Sequence, residues 1–164
     1  MIGVDIPIER LRLSFESNLW NGKNNKFFGR CFRNERNDDL IPEVIVSGNE
    51  YQEVLLQDFN DSTVFFDVEP ERESTSNTRV DAKIGIYFAV DLSALYPSLS
   101  RNDATETAYN DVINLINLAG FDVKSIISGF ESYATWGYDE ASRDSMSSYH
   151  LFKINTLVNY NLNC

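Results

Sequence analysis

A chain of 164 residues and 18.8 kDa suits one domain, long enough to bury about 70% of its unfolded surface. Its 43% hydrophobic and 13% aromatic residues, with 11 Phe and 8 Tyr, exclude a disordered polypeptide and favour a β-rich globular one, while the lack of any run of about 18 apolar residues excludes a transmembrane helix. A net charge of −11 argues against a nucleic-acid binder that tracks phosphates with clustered Lys and Arg.

That charge is unevenly spread. Residues 1–36 carry seven bases against four acids, a net +3, and the remainder is −14. Opposite poles of this kind favour head-to-tail contact between copies, the heterologous geometry that closes into rings. The start of the chain has neither the basic residues nor the apolar run of a signal peptide, so synthesis inside the cell is expected. Cys31 and Cys164 stand far apart and are expected to remain reduced thiols.

In chain order, Asp5 and Pro7 mark the start of a first helix over 6–20, with Ile8, Leu11, Phe15 and Leu19 on one side and Asn21-Gly22 as its stop. The aromatic run 27–32 predicts a strand with Phe28 and Phe32 on one face. Three short β-type runs at 43–46, 52–57 and 63–68, separated by turn residues, predict antiparallel strands. Residues 69–79 contain no apolar side chain except Pro70 and predict a mobile loop.

Residues 80–91 alternate: Val80, Ala82, Ile84, Ile86, Phe88 and Val90 face one way, which predicts a strand with that face on a core. A capping box at Asn102-Asp103 with Glu106 predicts the start of a second helix. Ala108, Val112, Leu115 and Ala119 line its buried side, with Tyr109, Ile113 and Ile116 widening the stripe, and Gly120 stops it with Phe121 folding back. Residues 125–136 read as a strand, 137–148 as a second mobile polar loop, and 149–162 as a closing strand of a terminal hairpin, with Phe152, Ile154, Thr156, Val158, Tyr160 and Leu162 on one face. The expected fold is a single α+β domain over 1–164, an antiparallel sheet packed by two main helices.

No chemistry announces itself. His150 is the one histidine and reads as a structural strand-end residue. Cys31 has Arg30 and Arg33 beside it to lower its pKa, yet no second histidine to activate it. Glu69, Glu71 and Glu73 read as solvent-facing, and Asp139, Glu140 and Asp144 lack the spacing of a calcium loop. No phosphate-binding glycine loop, paired CxxC, HExxH or GxSxG is present. The expectation is therefore no catalytic, cofactor-binding or metal-binding residue, no enzyme activity and no membrane partner.

The order of elements, with the alternating strand at 80–92, the Asp-Leu-Ser-Ala-Leu-Tyr connector at 91–96, the amphipathic helix at 104–120 and the aromatic closing strand at 149–160, resembles the tail-terminator and neck proteins of tailed bacteriophages. The Asn-rich, acidic style is also similar to structural proteins of crAss-like phages, whose necks contain stacked rings. The resemblance implies a tail-terminator-like fold and a virion structural role. The subunit would belong to a closed ring of six or twelve copies between the portal or adaptor side and the tail, made in the host cytoplasm. DNA would pass through its centre without sequence-specific binding. The loops at 69–79 and 137–148 and the basic N-terminal third would form the mating surfaces. The three β-type runs between Glu43 and Val68 exceed a minimal terminator and leave another collar ring open. Two other readings fit the composition: an acidic interaction or ligand-binding module, such as a DNA-mimicking inhibitor, and a small enzyme.

Overall fold

The computed structural model describes residues 2–36, 38–48, 50–54 and 60–162. In chain order the elements are α1 (Asp5–Asn18), β1 (Asn25–Arg36), β2 (Asp39–Ser47), β3 (Glu50–Glu53), β4 (Ser62–Ser74), β5 (Arg79–Val90), α2 (Leu92–Leu95), α3 (Arg101–Leu118), β6 (Asp122–Ser128), a 3₁₀ turn (Phe130–Tyr133), α4 (Glu140–Met146) and β7 (His150–Asn161). Among the described residues the strands form one sheet in the order β3-β2-β1-β4-β5-β7-β6, so the chain is α+β. The expected run at 52–57 is β3 in its first half, and its residues 55–57 lie outside the described residues, as does Cys164.

The sheet is mixed rather than antiparallel. β1 and β4 run parallel, with Phe27 opposite Val64 and Cys31 opposite Asp67; the other pairs are antiparallel. Parallel neighbours need a long connection, and the β2–β3 excursion between them supplies it. A bulge between Phe27 and Arg30 also shifts the alternation of β1. Phe28 therefore joins Cys31 on one side of the sheet, while Phe32 packs outside the cores against Tyr51.

On the first face the two expected helices pack on the sheet, α1 as the spacing predicts and α3 with its buried line turned towards Ala104 and Ile116, Leu115 and Ala119 being only partly buried. Ile8, Leu11, Phe15 and Leu19 from α1, and Ala104, Ala108, Val112 and Ile116 from α3, cover Val64, Phe66, Ile84, Ile86, Phe88, Phe152 and Ile154. Pro7 sits in the first turn of α1, but Val4, not Asp5, precedes the helix; Asp5 opens it and bonds Arg30 at 3.5 Å. The cap of α3 is Ser100 rather than the Asn102-Asp103 pair. Its hydroxyl accepts from the Asp103 amide at 3.2 Å and donates to the Asp103 carboxylate at 2.7 Å, a reciprocal box three residues upstream of the expected one. The end of α3 is as predicted: Gly120 takes φ +86°, its N–H donates to Asn117 and that of Phe121 to Ile116, and the Phe121 ring is buried.

The second face is the larger departure. β5 is buried on both sides from Ile84 to Val90, because Phe65, Tyr87, Ala89 and Leu151 face a second, aromatic layer made by Tyr133, Trp136, Tyr138, Met146 and Tyr149. The expected strand at 125–136 stops at Ser128, where Gly129 at φ +80° turns the chain into the 3₁₀ turn. The expected mobile loop at 137–148 is instead a packed cover. Asp139 caps α4 through the Ser142 amide at 2.7 Å, Met146 is buried, and the Gly137 N–H donates to Leu40 of β2 at 2.8 Å.

The expected loop at 69–79 is largely strand, β4 running to Ser74 and β5 starting at Arg79. Past a bulge between Val68 and Arg72, β4 and β5 continue as a solvent-exposed ribbon with Ser74 opposite Val80. The Asn159 amide donates to Asp81 at 2.6 Å, and Arg72 donates to the Tyr160 hydroxyl at 2.7 Å. Polar residues form strand here because a hairpin partner and β7 supply the ladder.

Two predictions test this packing. Phe88 is fully buried and stacks on Phe152 at 4.5 Å, so Phe88→Ala is expected to cost about 3–5 kcal/mol in urea unfolding, whereas Leu118→Ser, at a residue 83% exposed, should change stability by no more than about 0.5 kcal/mol. Arg33 donates twice to the buried Asp67 carboxylate, at 3.0 and 2.7 Å. Arg33→Met is expected to cost about 3 kcal/mol by stranding that charge, and the double variant with Asp67→Leu should recover most of the loss in the same measurement.

Candidate assembly surfaces

A strand at the end of a sheet leaves a row of amide and carbonyl groups without partners, and folded chains commonly blunt such edges with charge, bulges or cover. β6 has β7 as its only neighbour among the described residues. Its first half is blunted: a bulge falls between Val123 and Ser125, at Lys124, which is ion-paired to Asp122. Its second half is not. Ile126 and Ile127 are 39% and 37% exposed, and Phe130 just beyond is 54% exposed, so a straight, uncharged strand end presents three large apolar side chains. At the other end of the sheet β3 carries exposed Tyr51, with exposed Ile45 beside it on β2.

The ribbon beyond β4 and β5 holds Glu69, Glu71 and Glu73 on one wall of an open trough of about 490 Å³, with Lys83, Lys124 and Lys153 across it. Lys153 lies over the Tyr87 ring at 5.0 Å, and its stem crosses Gly85 so closely that a Cβ there would come within 2.5 Å of it. Asp139 is engaged as a helix cap, and among the described residues no group of three His, Cys, Asp or Glu side chains is placed to hold a metal ion. No helix among them is long and apolar enough to cross a membrane.

The basic third of the sequence is partly neutralised within the fold. Arg12 bonds Glu9 and Glu16, Arg30 meets Asp5, and Arg33 meets Asp67. Cys31 is buried, and burial together with the adjacent Asp67 raises its thiol pKa, outweighing the lowering by Arg33 and Arg30. The lowering expected from the flanking arginines is therefore outweighed, which disfavours the reactive thiolate.

His150 opens β7 on the side of Phe152, as expected, and its Nε2 lies 2.9 Å from the Tyr109 hydroxyl of α3. The alternation of 149–160 located the histidine, but no sequence signal located Tyr109 beside it, because the contact spans 41 residues. Desolvation, then the Arg101 charge, holds the imidazole pKa below its ordinary value. Compared with known proteins, the chain matches no family model and no curated protein sequence.

Because the unfolded chain takes up the His150 proton first as pH falls through about 6.5, the folded state loses stability on acidification until the folded-state pKa is passed. His150→Gln lacks this contribution. The stability gap between the native chain and the variant, read from urea midpoints, is expected to shift against the native chain between about pH 7.5 and 5.

Proposed function

We propose that this chain is a structural subunit that assembles with copies of itself into a closed ring in the neck or tail region of a tailed-phage virion. The observation that carries the reading is the unblunted half of β6, where free backbone groups and the exposed Ile126, Ile127 and Phe130 coincide. Such an edge accepts a further strand or loop, with backbone bonds giving affinity and the apolar side chains giving register. Among the described residues no strand pairs with its outer side, which leaves it open to another copy; where it meets a different surface of that copy, repetition of the contact closes a ring.

Four residues of edge are too few on their own, since stable interfaces bury about 1,200–2,000 Å² in total. The exposed ribbon at 69–79 and the exposed Tyr51 and Ile45 at the far edge supply the additional area, in ring contacts or in docking on the portal-side and tail-side neighbours. The acidic balance of −11 suits a channel through which DNA moves, because like charge avoids the salt-sensitive grip of phosphate contacts. The tail-terminator-like fold and the choice of a virion ring over other assemblies rest on the pattern of elements described above.

Light scattering coupled to size exclusion, with negative-stain images, tests the reading. The native chain is expected to give a mass of six or twelve subunits and annular particles, and Ile126→Lys with Ile127→Lys to give single subunits of unchanged circular dichroism. A native chain that stays a single subunit at its solubility limit, with no annular particles alone or on isolated virion necks, would count against it.

A further inference from the structure

At the end of the sheet opposite the ribbon, a hollow of about 210 Å³ lies between the β5–α2 junction, the first turn of α3 and the start of β7. Its polar lining is Asp91, Ser93, Arg101, Ser148 and His150, set among Leu92, Leu99 and Ala104. Most of these polar groups are already engaged. Asp91 Oδ1 accepts from the Ser93 and Ala94 amides at 3.0 and 3.1 Å and from the Ser93 hydroxyl at 2.6 Å. Ser148 donates to the Ser145 carbonyl at 3.0 Å.

Two donors remain. Arg101 makes no ion pair among the described residues, and His150 is tied to Tyr109 through Nε2, which leaves Nδ1. A guanidinium and an imidazole facing one small hollow disfavour each other's charge, which an oxyanion between them relieves, and the Asp91 carboxylate that lines the same hollow has its Oδ1 turned to the amides of α2. We propose that this hollow binds a phosphate-type oxyanion, held by Arg101 and by His150 Nδ1. Arg supplies a planar fork of donors suited to such an anion, and a doubly charged oxyanion matches one arginine and one protonated imidazole. The leucine and alanine walls leave room for a small organic group on a phosphomonoester. None of its residues lies on β6, β3 or the ribbon, so the site is distinct from the free edges named above.

His150 is the one histidine of the chain, so its imidazole resonances report on the site without ambiguity. They are followed by NMR against pH in inorganic phosphate, acetate or chloride of equal ionic strength. Tyr109 and Arg101 of α3 act on the ring directly, and Asp91, at the cap of α2, lines the same hollow. Phosphate is expected to raise the His150 pKa by about half a pH unit or more relative to chloride, because it favours the protonated ring. Acetate is expected to leave it unchanged.

Arg101→Gln should raise the pKa in chloride, by removing a like charge, and abolish the further rise in phosphate; Arg101→Lys should keep part of it. Identical titrations in phosphate and chloride, an equal shift in acetate, or a phosphate response that survives in Arg101→Gln would each overturn the assignment. An effect of phosphate on bulk chemical shifts without a change in the His150 pKa would mark an adventitious ion only and would equally overturn it.

Discussion

The structure depends on the pairing of β5 with its two neighbours. All twelve residues of β5 are in register with β7, from Arg79 opposite Asn161 to Val90 opposite His150, and β4 holds its other side. Each face of this three-strand centre carries one pair of opposed, stacked rings: Phe88 on Phe152 at 4.5 Å, and Phe65 on Tyr87 at 4.9 Å. Directly opposite aromatic pairs fix the register of a sheet, and a slip of one residue would send each ring to the wrong layer. The helices, the aromatic cover and the free edges all take their positions from that register.

From the centre outward the sheet becomes progressively less buried, and its functional potential increases in the same direction. β4, β5 and β7 are covered on both faces along part of their length; β6 is covered on neither side of its second half. The buried polar groups near the centre are structural: Asp67 is held by Arg33, the Cys31 thiol is kept protonated by burial, and the Thr156 hydroxyl donates to the Ile84 carbonyl at 2.9 Å. Groups able to meet another molecule lie at the ends and edges, where the ribbon, the Ile126–Ile127 edge and the hollow beside His150 are found.

The charge asymmetry of the sequence changes meaning once the chain is folded. Seven bases in the first 36 residues suggest a pole that another copy would meet, yet Arg12, Arg30 and Arg33 find carboxylates within the same chain. Linear counts of charge therefore overstate what is left for a partner. The acidic ribbon, by contrast, keeps Glu71 and Glu73 exposed.

Strong periodicity was legible without coordinates. The faces of α1, α3, β5 and β7 follow from the spacing of their apolar residues, and the stop of α3 follows from Gly120 and Phe121, because each signal is local to one element and one core. What only the tertiary structure decided is the aromatic layer, the parallel pairing of β1 with β4, the folded cover over 129–149 and the convergence of Arg101 with His150. Cys31, Val54, Tyr87, Trp136 and Met146 share one cluster at no common spacing, since each comes from a different part of the chain. Their burial is set by which surfaces meet, and a sequence repeat records only the neighbours that lie on the same element.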